Sequence, residues 1–232
     1  MSMCGRFTLA SQVSDLRELI NFAPETMPGE LPCRFNIAPT QPVLAFRSDE
    51  NSLNPVPALF QWGLVPFWAK DITIGPKLIN ARSETVNEKP SFRAAFKYRR
   101  CIIPVDGFYE WRKASDTGKK IPWWIHRPDR KPFALAGLWE SWDKDGTGPL
   151  ETCTILTTHA NAFLEMLHER MPVIIEPENI QKWLYTSSAD TWPLYSLFNP
   201  VPDDFLKAWP VSTRVNSPLV DDPELITPLA EA

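Results

Sequence analysis

A cysteine stands fourth in the chain, in Met-Ser-Met-Cys-Gly-Arg-Phe, and its chemistry depends on what precedes it. Met3-Cys4-Gly5 reads as a natural start followed by a cysteine that processing would expose, with Met1 and Ser2 as additional leading residues. A cysteine at the first position of a mature chain carries an α-amine with a pKa of about 7.7–8.0 and a thiol with a pKa of about 8.5 on adjacent carbons. The neutral amine attacks an aldehyde to give an imine, and the thiol then closes on that imine as a five-membered thiazolidine. An internal cysteine lacks the amine and cannot do this. The competing reading of Cys4 is a small buried thiol near the chain start.

Two further segments place polar groups among apolar ones. In Leu78-Ile79-Asn80-Ala81-Arg82-Ser83-Glu84-Thr85 an amide, a cation and an acid alternate, so on a strand Asn80, Arg82 and Glu84 would share one face. Such a face either meets water or lines a cleft. In Asp106-Gly107-Phe108-Tyr109-Glu110-Trp111 an acid stands between aromatic rings, where it is costly unless exposed or partnered. Partly desolvated there, Glu110 would keep its proton to near neutrality and could act as acid and base. The alternative is an exposed strand glutamate.

His168, in His168-Glu169-Arg170-Met171-Pro172-Val173, follows a helix-like segment that the proline ends abruptly. Its imidazole can move a proton and Arg170 can hold a phosphate, unless the pair is simply surface. Trp62 and Trp68 frame Gly63-Leu64-Val65-Pro66-Phe67, a stiff turn able to present a ring for base stacking, although most tryptophans in such a chain belong to the core. Arg34-Phe35-Asn36-Ile37-Ala38-Pro39 is open to the same two readings. His126, between Ile125 and Arg127, has no comparable company and reads as structural.

These groups need a scaffold, and composition indicates its kind. With 44% hydrophobic and 22% charged residues, the 232-residue chain is neither disordered nor fibrous. Twenty-four prolines against nine glycines, with ten tryptophans, describe short extended pieces, stiff loops and ring-based packing. That favours strands over a helical bundle. No apolar run of about 18 residues and no basic-then-apolar leader is present, so neither a membrane span nor a secretory signal is expected. Cys4, Cys33, Cys101 and Cys153 form no C-x-x-C pair, and His126, His159 and His168 show no ligand spacing. No metal site is therefore expected, and the thiols should be free in a reducing compartment. A net charge of −4 argues against nonspecific coating of nucleic acid but leaves room for a local basic cleft.

Along the chain, Val13, Leu16, Leu19 and Ile20 predict an amphipathic helix over 11–22 behind Ser11 as cap. The stretch from there to Pro42 reads as loop, 43–47 and 59–65 as strands, and 48–57 as their connection. Ser91 is expected to cap a helix reaching residue 100, with Phe92, Ala95 and Phe96 inward. Residues 101–105, 108–112, 122–126, 133–142 and 152–157 read as strands, joined by turn-like 114–120 and 144–149. Helices are expected over 161–167 and 177–184, the second opening on a proline suited to a first turn. No repeat or linker interrupts this order, which predicts a single domain over 1–232.

Met-Cys-Gly-Arg-Phe, Arg-Phe-Asn-Ile-Ala-Pro, Trp-Gly-Leu-Val-Pro-Phe-Trp, Ile-Asn-Ala-Arg-Ser-Glu-Thr, Cys-Ile-Ile-Pro-Val-Asp-Gly-Phe-Tyr-Glu-Trp and His-Glu-Arg-Met-Pro together resemble the SRAP (SOS-response-associated peptidase) family. They follow the family's order from Met3 to about Ile226. The resemblance implies an α+β fold, a curved barrel-like antiparallel β-sheet core with flanking helices, and covalent crosslinking to abasic sites in single-stranded DNA. By position it implies Cys4 as the crosslinking residue, Asn80 orienting the terminal cysteine and the opened sugar, Glu110 as acid/base in imine formation, and His168 assisting ring opening and reversal. Arg6, Arg82 and Arg170 fall where the family contacts phosphates, and Asn36, Pro39 and Trp68 near the wedge that kinks and unstacks the strand. It further implies no cofactor, metal or membrane, a monomer whose partner is single-stranded DNA with abasic sites, and a cytoplasmic location, at the nucleoid in a bacterium.

Two departures carry consequences. Ala69 follows Trp68 where some relatives have a second tryptophan, so stacking on that side should be weaker. A chain that keeps Met1 and Ser2 has no α-amine at Cys4 and should not crosslink until trimmed. The peptidase activity in the family's name would then act on the chain's own leading residues. Cys-Gly at a processed start also opens the glutamine amidotransferases, where the thiol attacks an amide, but that reading explains only the opening residues. A noncovalent single-strand binder, with Cys4 incidental, is the reading from a different class.

Overall fold

β-Branched and aromatic residues crowd the middle of the chain, and there they form the long strands that carry the fold. The structure is a computed structural model and describes residues 4–49, 52–113, 118–144, 146 and 148–229. Its strands are β1 (Phe7–Leu9), β2 (Arg34–Ile37), β3 (Pro42–Asp49), β4 (Ser52–Trp62), β5 (Asn80–Arg82), β6 (Arg100–Val105), β7 (Gly107–Lys113), β8 (Lys120–His126), β9 (Phe133–Trp142), β10 (Leu150–His159), β11 (Arg170–Pro172), β12 (Ile174–Ile175) and β13 (Lys207–Pro210). The α-helices flanking them are short: α1 (Val13–Leu19), α2 (Arg93–Tyr98), α3 (Ala162–Glu165) and α4 (Ile180–Tyr185).

Strands β10, β4, β3, β6 and β9 pair in succession, and β9 pairs back to β10, so the ring closes as a barrel. Every pairing in the ring is antiparallel except β10 with β4. Cys101, Ile103, Leu135, Cys153 and Ile155 are fully buried in it. A Cβ on Gly137 would stand 2.7 Å from Cys101 Sγ, so only glycine fits where β6 and β9 face each other.

A second sheet runs β13-β8-β7-β1-β2. It meets the barrel where Phe7 lies against Trp62, ring centroids 5.1 Å apart. One continuous hydrophobic cluster joins the two, from Cys4 to Leu206. The α+β class with a barrel-like, largely antiparallel core is as the resemblance implied.

Several boundaries differ from the sequence expectation for tertiary reasons. Residues 34–37, read as loop, are β2 because they pair with β1 (Phe7↔Ile37). Much of 48–57, read as a connection, is strand, with Arg47↔Val56 and Phe46↔Pro57 in register. There β4 meets β10 only at Gln61 and Trp62, so Pro55 and Pro57 lie where no second ladder needs their missing N–H. The strand ends at Trp62, short of Val65, because Gly63 (φ 124°) turns the chain.

Helix starts shift too. Ser11 does not cap α1: its hydroxyl donates to Asp106 (2.5 Å), and Gln12 takes the cap position with its N–H on the Asp15 carboxylate (2.9 Å). Phe92 replaces Ser91 at the start of α2. Asn161 does cap α3, accepting the Leu164 N–H at 2.9 Å. Pro177 opens a 3₁₀ turn that runs into α4. Residues 114–117, 145 and 147, parts of the two expected hairpin loops, lie outside the described residues.

Candidate functional site

Cys4 precedes β1 and is fully buried. Its backbone N–H donates to Glu110 Oε1 at 2.7 Å, across 106 positions of sequence. The sheet makes this possible, because β1 pairs with β7 (Phe7↔Phe108) and the Tyr109 N–H binds the Arg6 carbonyl at 3.0 Å. Glu110 is 6% exposed. Burial pushes its carboxyl up to about 7, against the lowering effect of the Cys4 and Trp111 N–H groups and the Lys120 charge. Burial, then the neighbouring Glu110, pushes the Cys4 thiol well above the usual cysteine range. The result is a neutral thiol beside a carboxyl able to exchange a proton at neutral pH. Cys4 also holds a φ of 46°, in the left-handed region that a β-carbon disfavours by about 1–2 kcal/mol.

Asn80 opens β5, which pairs with the end of β10 (Asn80↔Ile155, Thr157↔Arg82). The link from Cys4 to Asn80 runs through the core: Phe7 packs on Trp62, whose indole N–H binds the Ile79 carbonyl at 3.0 Å. Asn80 and Arg82 share a face, as alternation requires, but the strand stops there and Glu84 sits in a 3₁₀ turn, Ser83–Thr85. From that turn Glu84 meets Arg170 of β11 in a bidentate pair at 2.5 and 2.9 Å. Arg170 also donates to the Thr157 carbonyl (2.7 Å) and hydroxyl (3.1 Å), and it is 8% exposed. Arg82, by contrast, is exposed.

The backbone N–H of Arg170 donates to His168 Nδ1 at 3.1 Å. That bond requires an unprotonated Nδ1 and leaves the proton on Nε2. Burial lowers the imidazole's pKa despite the opposing charge of Glu169, so His168 is neutral at pH 7.

The remaining expected residues divide by exposure. Asn36 is completely buried, its amide N–H groups on the carbonyls of Val215 (3.2 Å), Ser217 (2.9 Å) and Val220 (2.7 Å). Its Oδ1 accepts from Arg6 Nη1 (3.2 Å), which also binds the Val215 carbonyl (2.7 Å). Asn36 thus anchors Arg6 from beneath. Pro39 and Thr40 form the corner of a turn closed by Gln41 N–H to Ala38 O (3.2 Å), with Thr40 at φ 72°. Trp68 is 42% exposed, and its indole N–H binds the Pro90 carbonyl at 3.2 Å.

Sequence reasoning passed over two neighbours. Trp123 lies directly opposite Glu110 in the β7–β8 register, so its ring shares Glu110's face; period-two alternation of a paired hairpin was the available signal. His159 was set aside for lack of ligand spacing, yet its Nε2 lies 3.2 Å from Glu84 Oε1. Nothing in the sequence joined those two residues. Among the described residues no group of three or more His, Cys, Asp or Glu is arranged to hold a metal ion, and no helix is long and apolar enough to cross a membrane.

Residues 3–218 match the SOS response associated peptidase (SRAP) family. Abasic site processing protein YoqW of Bacillus subtilis (strain 168) is 47% identical over 227 residues, covering 97% of this chain and 99% of that protein. Abasic site processing protein HMCES of Gallus gallus is 31% identical over 266 residues, covering 98% and 78%. A crystal structure of a protein from Bacteroides thetaiotaomicron matches with a TM-score of 0.83 at 27% identity, covering 98% of this chain and all of that one.

Proposed function

The chain belongs to the SOS response associated peptidase family, and we propose that it captures abasic sites in single-stranded DNA as a covalent adduct on Cys4. The observation that carries this reading is the 2.7 Å bond from the Cys4 nitrogen to Glu110. Abasic site processing is what the names of its relatives state.

The sugar of an abasic site opens to an aldehyde when its C1′ hydroxyl loses a proton and the ring oxygen gains one. A neutral imidazole such as His168 suits that exchange. The neutral amine of Cys4 then attacks the aldehyde carbon to give a carbinolamine. Glu110, with its carboxyl near 7, takes the ammonium proton and returns one to the departing hydroxyl, so water leaves and an imine forms. The thiol sulfur adds to the imine carbon, its proton passes to nitrogen, and the thiazolidine closes. One water is released overall and nothing is oxidised. Asn80 orients the terminal cysteine and the opened sugar, Arg6 and Arg82 serve the phosphates, and Pro39 and Trp68 support the wedge. Asn36 acts through Arg6, and Arg170 through Glu84 and the backbone of His168.

The scheme needs a primary amine at Cys4. Hydrolysis of the Met3–Cys4 peptide, by water attacking the Met3 carbonyl while Glu110 protonates the departing nitrogen, would supply it. Cleavage also abolishes φ at Cys4 and with it the left-handed strain there. The peptidase in the family's name is then self-directed.

The test is incubation of protein whose mass confirms Cys4 as first residue with single-stranded DNA containing one abasic site, followed by denaturing electrophoresis. A resistant complex that Cys4→Ala abolishes is the expected result. Retained DNA binding with no resistant complex would leave a noncovalent binder, and glutamine hydrolysis would revive the amidotransferase reading.

A further inference from the structure

An acid close to an arginine that serves phosphates should repel DNA, yet one such acid is built into the segment that follows β13. Residues 211–226 form a strap over the face of the second sheet opposite Glu110. There Val211, Val215 and Leu225 are fully buried against Tyr109 and Trp124, with Phe35 and Trp111 packed beside them. The strap carries three acids. Asp222 and Glu224 both pair with Arg214 of the strap itself, at 2.6 and 2.7 Å. Asp221 turns onto β2 instead. Its Oδ1 accepts the backbone N–H groups of Phe35 (2.5 Å) and Asn36 (3.0 Å), and its Oδ2 accepts Arg34 Nε (2.5 Å). One carboxylate thus takes donors from three consecutive residues, in charge-assisted bonds about twice as strong as neutral ones.

Two paths lead from this buckle toward the site. Asn36, whose N–H Asp221 holds, presents Oδ1 to Arg6 Nη1 (3.2 Å), and the strap supplies the Val215 carbonyl to the same nitrogen (2.7 Å). Arg6 stands two residues from Cys4, and among the described residues its Nε and Nη2 make no hydrogen bond, which leaves them for a phosphate. On the second path Arg34 Nη2 donates to Gln41 Oε1 (2.7 Å), which also accepts the Ala38 N–H (3.0 Å) and props the turn at Pro39. A guanidinium fixed before binding loses less rotamer freedom when a phosphate arrives.

We propose that Asp221 is a positioning residue for DNA binding: it buckles the strap to β2 and so pre-organises Arg6, and an acid thereby raises the affinity of this protein for a polyanion. The inference rests on the reading of Arg6 as a phosphate contact.

The test is the anisotropy of fluorescently labelled, undamaged single-stranded DNA across a salt series. Asp221→Asn should weaken binding about 3- to 10-fold, part of one charge-assisted contact. It should also flatten the slope of log affinity against log salt by up to about 0.7, the share of one phosphate on a single strand. Charge alone predicts the opposite sign, because removing a carboxylate near a polyanion strengthens its binding. In an Arg6→Ala background the same substitution should no longer weaken binding, since the residue it acts through is gone, whereas a general loosening of the fold would persist there. Asp221→Glu keeps the charge and the acceptors on a longer arm, should fall between the parent and Asp221→Asn, and carries the series if Asp221→Asn does not fold. Affinity at or above the parent's in either variant, or an equal loss with and without Arg6, would overturn the proposal. Parent-like binding by Arg6→Ala alone would instead overturn the reading of Arg6 as a phosphate contact.

Discussion

Glu110 beside Cys4 and Glu84 beside Arg170 are the same residue type, and the fold drives them in opposite directions. Glu110 is buried, receives hydrogen bonds from the Cys4 and Trp111 N–H groups, and its carboxyl rises to about 7. At Glu84 burial pushes upward too, but the hydrogen bonds and charge of Arg170, with His159 nearby, outweigh it and hold the carboxyl below its ordinary range. Amide donors leave a buried acid able to hold a proton, whereas a bidentate guanidinium fixes it as an anion. The first arrangement suits proton transfer beside Cys4. The second suits a brace between β5 and β11.

That contrast can be broken from either end. Glu110→Gln should slow adduct formation by about 10²- to 10⁴-fold with single-stranded DNA binding retained, measured as the initial rate of the denaturation-resistant complex. An unchanged rate would remove Glu110 from the chemistry.

The same substitution carries a stability signature. Because the folded state binds the Glu110 proton more tightly than the unfolded chain, stability should fall as pH rises from about 4.5 to about 7, by on the order of 3 kcal/mol, and then level off. Urea unfolding across that range should show the decline in the parent and not in Glu110→Gln. Glu84 has the opposite sign: its contribution is present above the ordinary carboxylate range and disappears as pH falls through its depressed value.

Arg170→Met should cost about 2 kcal/mol in the same unfolding assay, since it removes donors from Glu84 and from the buried Thr157 groups. His159→Ala should stay within about 0.5 kcal/mol, because that imidazole is 76% exposed and its attraction to Glu84 is screened. A larger loss from His159→Ala than from Arg170→Met would reverse the account of what holds Glu84.

Much of this site was legible before folding was considered. An acid between Tyr109 and Trp111 on a strand implies desolvation, and a cysteine behind a start methionine implies a latent amine. What sequence did not disclose was that the two meet, because the β1–β7 pairing that joins them spans about a hundred residues. Asn36 illustrates the reverse case. Its motif was open to both a DNA-contacting and a core reading, and three carbonyls contributed by residues 215–220 close over it. Ser11 and Ser91 looked like helix caps, and Ser11 was taken instead by Asp106 from the connection between β6 and β7.

By itself the sequence determined the strand-rich class, the stiff proline loops and the residue types available for chemistry, since these follow from side-chain shape, backbone restriction and local periodicity. Tertiary structure decided the closure of the barrel, the contact of Cys4 with Glu110 and the opposite fates of two glutamates. Each of those depends on strand register and on the donors that register brings across, and a donor contributed by a distant strand leaves no mark on the residues beside its acceptor.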